Sequence, residues 1–486
     1  MNAQTAIAAA MLLPLIGAVG IVLTGRLPNL REAVTLITAV ALAGVVWSLV
    51  PDVIDGARPS LRVVAILDEL SISFSIEPLG MLFAALAATL WIVNSIYSIG
   101  YMRGNDEKHQ TRFYVCFAIA IGAAMGVAFA GNLVTLFVFY ELLTISTYPL
   151  VSHKGDPETM KSARVYLGIL LSTSIGLLLP AIIWTYAAAG TLDFQQGGIL
   201  SGSVAGPAVG VLLALYVFGI GKAALMPVHR WLPAAMVAPT PVSALLHAVA
   251  VVKAGVFTVV KVVVYVFGID LLAEGGFQQW LIYAAGATIV LASLIAMTKD
   301  NLKARLAYST VSQLSYVVLG AALATATSVV GAAMHIVNHA AGKITLFFCA
   351  GAIYTALHKT EVSELRGLGR TMPFTFGAFF IGSLSIIGLP PLGGLWSKWY
   401  LTLGALEVDQ LFAVAVLMLS SLLNIVYLLQ VPLWAFFAKP AAEGVTGVRE
   451  APWPCLVAIG LTAAASIALF FLADPLYELA RRLPLR

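Results

Sequence analysis

The chain has 486 residues, of which 60% are apolar and only 10% charged, with a formal net charge of +4; soluble domains carry about 25% charged residues. Such a composition excludes a soluble enzyme, a nucleic-acid binder and a disordered chain, and it holds enough apolar residues for about fourteen membrane-crossing helices of about 20 residues each. Cys116, Cys349 and Cys455 lie far apart within apolar runs and read as small core residues, not as a disulfide frame or a metal motif.

Apolar stretches between charged or Gly/Pro-rich breaks predict fourteen spans, at about 5–24, 33–50, 78–101, 112–130, 132–151, 163–187, 207–238, 241–267, 278–297, 304–324, 329–357, 373–405, 410–437 and 451–474. No Lys or Arg precedes the first run, so it reads as a membrane helix and not as a cleaved signal. Two spans are too long and carry breakers: Pro227 and Pro233 in the seventh, and Pro390, Pro391, Gly393 and Gly394 in the twelfth. Proline removes a backbone donor and clashes with the preceding turn, so both spans are expected to be discontinuous. Ordinary proline kinks are the competing reading. Interruptions five spans apart point to two inverted five-helix repeats, spans 4–8 (residues 112–267) and 9–13 (residues 278–437), with ion sites at the breaks. The fold class expected is therefore all-α integral membrane, a single polytopic domain over residues 1–486.

With the N-terminus outside, seventeen of the 27 Lys and Arg residues fall on inward loops and five outside, namely Arg58, Arg62, Arg481, Arg482 and Arg486. Both termini are thus expected on the outer side of a bacterial-type inner membrane, and the basic C-terminal tail is the one feature against that orientation. The remaining five, Lys222, Lys253, Lys261, Lys343 and Lys398, fall inside spans. Glu141 is the one acid placed deep within a span. A charge at the bilayer centre costs about 2.5–3.5 kcal/mol on insertion scales, and such residues mark ion pathways. One acid cannot pair five lysines, and a lysine able to release its proton is what a proton carrier requires.

Each candidate has a plainer alternative. Lys222 and Lys398, at the two breaks, could instead snorkel to an interface, as could Lys253; Lys261, near a helix end, is expected to do so. His335, His339 and Lys343 recur at every fourth residue and share a helix face. Histidine titrates near neutrality and passes protons in either direction. A zinc pair would need Glu directly after the first His, where Ile336 stands, and no third ligand is evident. His247 is either a relay group or a satisfied core histidine.

These residues sit in recognisable strings. Gly221-Lys222-Ala223-Ala224, then His229-Arg230-Trp231-Leu232-Pro233 and Pro239-Thr240-Pro241 through His247, resemble the proton-translocating, antiporter-like subunits of respiratory complex I and the Mrp-type cation/proton antiporters. So do Leu306-Ala307-Tyr308-Ser309, the His335/His339/Lys343 face, and Gly388-Leu389-Pro390-Pro391 through Lys398, over about residues 80–430. The resemblance implies fourteen core helices with the seventh and twelfth broken. It implies that Glu141 pairs with Lys222, that His247 and Lys253 form a relay, that His335, His339 and Lys343 form a central polar axis, and that Lys398 is the terminal lysine. Ala235 departs from the pattern, which commonly has an aspartate there. The run from Phe137 to Pro149 with Ser152-His153-Lys154-Gly155 looks most like the D component of Mrp-type antiporters.

The function expected is a proton-translocating subunit of a multisubunit Na⁺/proton antiporter; the alternative is an antiporter-like pumping subunit of a complex I-like assembly, an NADH–quinone oxidoreductase or a membrane hydrogenase. No catalytic residue, metal site or cofactor is expected in the chain, which lacks a Cys cluster and a Gly-rich nucleotide loop. Partners expected from the resemblance are other membrane subunits, including homologous antiporter-like ones, with H⁺ and Na⁺ or K⁺ as the ions moved. A stand-alone solute carrier or a membrane metalloenzyme is the remaining competitor.

Overall fold

The computed structural model describes residues 2–67, 70–439 and 447–485; Arg486, counted above with the outer tail, lies outside the described residues. In chain order its principal helices are α1 (Ala3–Leu23), α2 (Pro28–Ile54), α3 (Pro78–Gly104), α4 (Gln110–Ala128), α5 (Leu133–Val151), α6 (Pro157–Ala189), α7 (Pro207–Gly219), α8 (Thr240–Phe267), α9 (Gln279–Thr298), α10 (Leu302–Ala322), α11 (Ala326–Leu357), α12 (Pro373–Ile387), α13 (Gly394–Glu407), α14 (Leu411–Phe437) and α15 (Trp453–Phe471). Among the described residues, eleven are long and apolar enough to cross a membrane. The difference from fourteen spans has two physical sources. α7, α12 and α13 are fragments of the two broken spans, and each is too short alone. α10 has 21 residues but carries Arg305, Ser309, Thr310, Ser312, Gln313 and Ser315, all buried.

Burial sorts the helices into an inner group and a rim. The most apolar window of α8 is entirely buried and that of α11 is 89% buried, against 39% for α1, α2 and α14. Ionisable residues are tolerable on α8, α10 and α11 because these helices face protein and not lipid.

The expectation of an all-α fold needs one correction. Ser60–Leu67 (β1) and Leu70–Ser75 (β2) pair antiparallel, with Leu61 opposite Phe74. The alternation Ser71-Ile72-Ser73-Phe74-Ser75 is a strand signal of period two, overlooked within a predicted loop. Asn132 ties the hairpin to α5. Its Nδ2 donates to Ser71 O at 2.7 Å, while its Oδ1 caps the helix at Thr135 N, 2.8 Å.

Both long spans are broken. α7 stops at Gly219 and the chain continues to Val237 in short turns; α12 stops at Ile387 and α13 resumes at Gly394. Met226–Pro227 and Pro390–Pro391 are cis. Close packing holds the breaks against their neighbours. A Cβ added to Gly255 on α8 would overlap the backbone of Lys222 and Ala223, and one on Gly394 would overlap Ser385 O. α8 also contains two π-helical turns, Leu245–Val249 around His247 and Val262–Phe267 directly after Lys261; such turns interrupt the regular backbone ladder and recur at functional sites.

Candidate functional site

Lys222 lies three residues beyond the end of α7, where the chain has left regular helix. Its backbone N–H donates to Tyr140 Oη at 3.1 Å, and Trp231 Nε1 donates to Gly221 O at 2.9 Å, so the break is pinned on both sides. The ammonium donates to Tyr140 O (2.9 Å) and Thr144 Oγ1 (2.5 Å) and sits 3.2 Å from the centroid of the Tyr140 ring. An aromatic face, a helix carbonyl and a hydroxyl compensate part of the lost hydration of a buried cation. Glu141 is the next residue on α5. Both its carboxylate oxygens are buried without a hydrogen-bond partner, and among the described residues none of the ion pairs within 4.0 Å includes it.

A second group crosses the centre. Lys253 on α8 meets His339 on α11, Nζ to Nδ1, at 2.5 Å. The His339 and His335 rings stack with centroids 5.8 Å apart, and His335 also stacks on Tyr316 of α10 at 5.3 Å. His335 Nδ1 is 2.9 Å from Ser397 Oγ on α13, one residue before Lys398. Lys398 donates to Ile387 O (2.9 Å) and Ser421 Oγ (3.1 Å), with its Nζ 5.0 Å from the Tyr316 ring centroid. Ile387 is the last residue of α12, so the ammonium sits at the negative end of that helix dipole. Lys343 donates to Leu306 O at 3.3 Å, and the ring of His247 lies 4.6 Å from that of Phe347, both imidazole nitrogens lacking protein partners.

The structure thus joins Lys253, His339, His335 and Lys398 by direct or one-residue contacts. It keeps Lys222 and Glu141 as a separate group on the other side of Gly255 and sets Lys343 and His247 beside the centre, each on its own neighbour. Glu141 is half-buried and the other seven are buried. Gln313, Asn338, Ser243, Ser385 and the Nε2 atoms of both histidines also bury polar atoms without a protein partner; water completes groups of this kind.

Sequence reasoning missed two features. Lys261 does not snorkel. It is fully buried and paired with Glu77, Nζ to Oε1, at 3.2 Å. Glu77 falls among the loop acids when hydropathy alone is read; its position directly before Pro78 at a helix start was the available sign of a capping role. Lys303 is likewise drawn in, donating to Ala238 O at 2.5 Å beside a cavity of about 290 Å³ that Tyr101, Lys154, Asp156 and Thr240 also line.

Residues 130–424 match the model of the NADH:quinone oxidoreductase/Mrp antiporter transmembrane family. The chain belongs to that family. It is 34% identical over 387 residues to NADH-quinone oxidoreductase subunit N of Desulforudis audaxviator, covering 78% of this chain and 76% of that one. It is 32% identical over 399 residues to the A/B component of a probable K⁺/H⁺ antiporter of Rhizobium meliloti, covering 79% of this chain but only 39% of that protein. Against the chain 5 relative of Synechocystis it likewise spans about half, 49%, of the longer protein. Two solved structures share the fold: a chain of the Mrp complex from Dietzia sp. DQ12-45-1b (22% identity, TM-score 0.84, 98% of this chain and 97% of that one) and a chain of an archaeal membrane-bound sulfane sulfur reductase (25% identity, TM-score 0.87, 99% and 97%). The chain is a multi-pass membrane member of this antiporter-like family.

Proposed function

We propose that the chain is the proton-translocating subunit of a multisubunit monovalent cation/proton antiporter, with Glu141, Lys222, His247, Lys253, His335, His339, Lys343 and Lys398 as its proton path. The observation that carries this reading is the contact series Lys253–His339–His335–Ser397 through the buried centre, which ends one residue before Lys398. In this reading the residues around the two breaks belong to fourteen core helices arranged as two inverted repeats, 112–267 and 278–437. Both termini lie on the outer side, and homologous membrane subunits are the partners.

Protons enter from inner-side water and load Lys222. An approach of Glu141 to about 4 Å would favour the loaded state by about 4 kcal/mol at an effective dielectric of 20; its withdrawal releases the proton towards His247 and Lys253. Lys253 and His339 share one hydrogen bond, in which one nitrogen must donate and the other accept. A proton arriving on one therefore leaves by the other, then passes His335 and the Ser397 hydroxyl to Lys398. The orphaned polar atoms of Gln313, Asn338 and the histidines supply places for bridging water along this line.

A second reading, a pumping subunit of a complex I-like assembly, is favoured by the subunit N relative, which this chain covers over 76% of its length. Purification of the assembled complex separates the two: co-purifying iron–sulfur or flavin subunits favour the second. For the proton path itself, cation-driven proton movement in vesicles bearing the complex should fall to background with Lys222→Ala and with Glu141→Gln. Full activity in both would refute it.

A further inference from the structure

Resting on the proton-path reading, we propose that Glu77 and Lys261 form a further proton-exchange site at the end of α8 beside the hairpin, giving the first half of the chain its own opening to that face. The pair borders a cavity of about 310 Å³ shared with Arg58, Ser75, Phe194 and Tyr265. Lys261 lies eight residues beyond Lys253, about 12 Å along the helix, and Phe257 stands halfway between them. The spacing of four and four stacks the three side chains along one side of α8.

The geometry differs from that of a purely structural ion pair. Glu77 is anchored without Lys261: its Oε2 accepts from Leu79 N (2.7 Å) and Tyr265 Oη (2.8 Å), and its Oε1 from Gly80 N (2.9 Å). The ammonium of Lys261 adds bonds to Glu77 Oε1 (3.2 Å) and Ala130 O (2.9 Å), with the Phe194 and Phe257 ring centroids at 4.6 and 5.3 Å. When Lys261 gives its proton to cavity water, the Glu77 charge still has three donors, so neither state strands a buried charge. Among the described residues, Arg58, Glu77, Lys261 and Tyr265 are the charged and titratable groups that face the cavity, from the segment before β1, from the start of α3 and from α8.

Inward, the Phe257 ring packs against Phe83 at 5.1 Å, an apolar plug between Lys253 and Lys261. Displacement of that ring admits water into the gap, and along it the Lys253 ammonium passes its proton to the neutral Lys261 amine. The Lys261 ammonium then yields a proton to water as hydronium. The exchange runs equally in reverse and needs no other reactant.

Three variants of the full complex in vesicles test this. Lys261→Arg keeps the charge, the pair and the ring contacts, but guanidinium does not release its proton; transport should fall tenfold or more, and its dependence on the pH of the hairpin face should flatten. The double variant Glu77→Gln with Lys261→Met removes both charges together, leaving no unpaired partner, and should assemble yet stay equally slow. Lys222→Ala is the reference. Wild-type transport in both Lys261 variants, with Lys222→Ala inactive, would overturn this site and leave the central path standing. Wild-type transport in Lys222→Ala would instead overturn the path on which it rests.

Discussion

Lys253 and His339 meet at 2.5 Å, and through this contact α8 and α11 share a titratable hydrogen bond. Either nitrogen can act as donor or as acceptor, which is what a two-way relay demands. Lys253→Arg should keep the charge and abolish the exchange, lowering proton transport at least about tenfold. His339→Phe should do the same by removing the acceptor. Proton uptake by vesicles bearing the variant complex measures both.

Glu141 offers a separation of stability from activity. Its carboxylate is buried without a hydrogen bond, and an unpaired buried charge is costly. Glu141→Gln should therefore leave the thermal unfolding midpoint of the detergent-solubilised protein unchanged or raised, while proton transport falls. A large loss of stability would mean that the carboxylate has a structural partner.

Gly255 tests how closely the first break must pack. A methyl group there meets the Lys222–Ala223 backbone, which cannot swing aside as a flexible side chain would. Gly255→Ala should destabilise by about 1–3 kcal/mol and displace Lys222 from Thr144. Unfolding midpoints and transport rates of the variant should fall together, unlike those of Glu141→Gln.

On the predicted inner face, His153 gives a pH dependence of definite sign. Burial, reinforced by the neighbouring Arg112, pushes its imidazole down to about 4. The unfolded chain takes up this proton near pH 6.5, so the folded state is favoured fully above that value and loses the contribution as pH falls towards 4. His153→Gln should remove this component of acid sensitivity, read as a smaller fall in unfolding midpoint between pH 7 and pH 5.

Hydropathy and breakers made the helices and both interruptions legible, because lipid and proline act on composition and local backbone. Pairing was far less so. His335, His339 and Lys343 share a helix face, yet they reach three different elements: Ser397 on α13, Lys253 on α8 and Leu306 on α10. Spacing along one helix says which way a side chain points but not what waits there. Lys261 shows the same limit. Its nearness to a helix end suggested an interface, and only the fold brings Glu77, 184 positions away, against it. Tyr316, between His335 and Lys398, carries no sequence signal at all, since buried aromatics are ordinary core residues.

The central series has an electrical consequence. Lys253 stands midway along α8 and His339 near the middle of α11, while Lys398 reaches back to the end of α12 at the second break. On the proposed path, a proton moving among them travels sideways, at nearly constant depth. The membrane voltage does work only on displacement across the bilayer, about 2.3 kcal/mol per charge per 100 mV for a full crossing. The lateral stretch would therefore be indifferent to voltage, and the whole of the electrical work would fall on the two vertical steps at its ends, which together cross the bilayer.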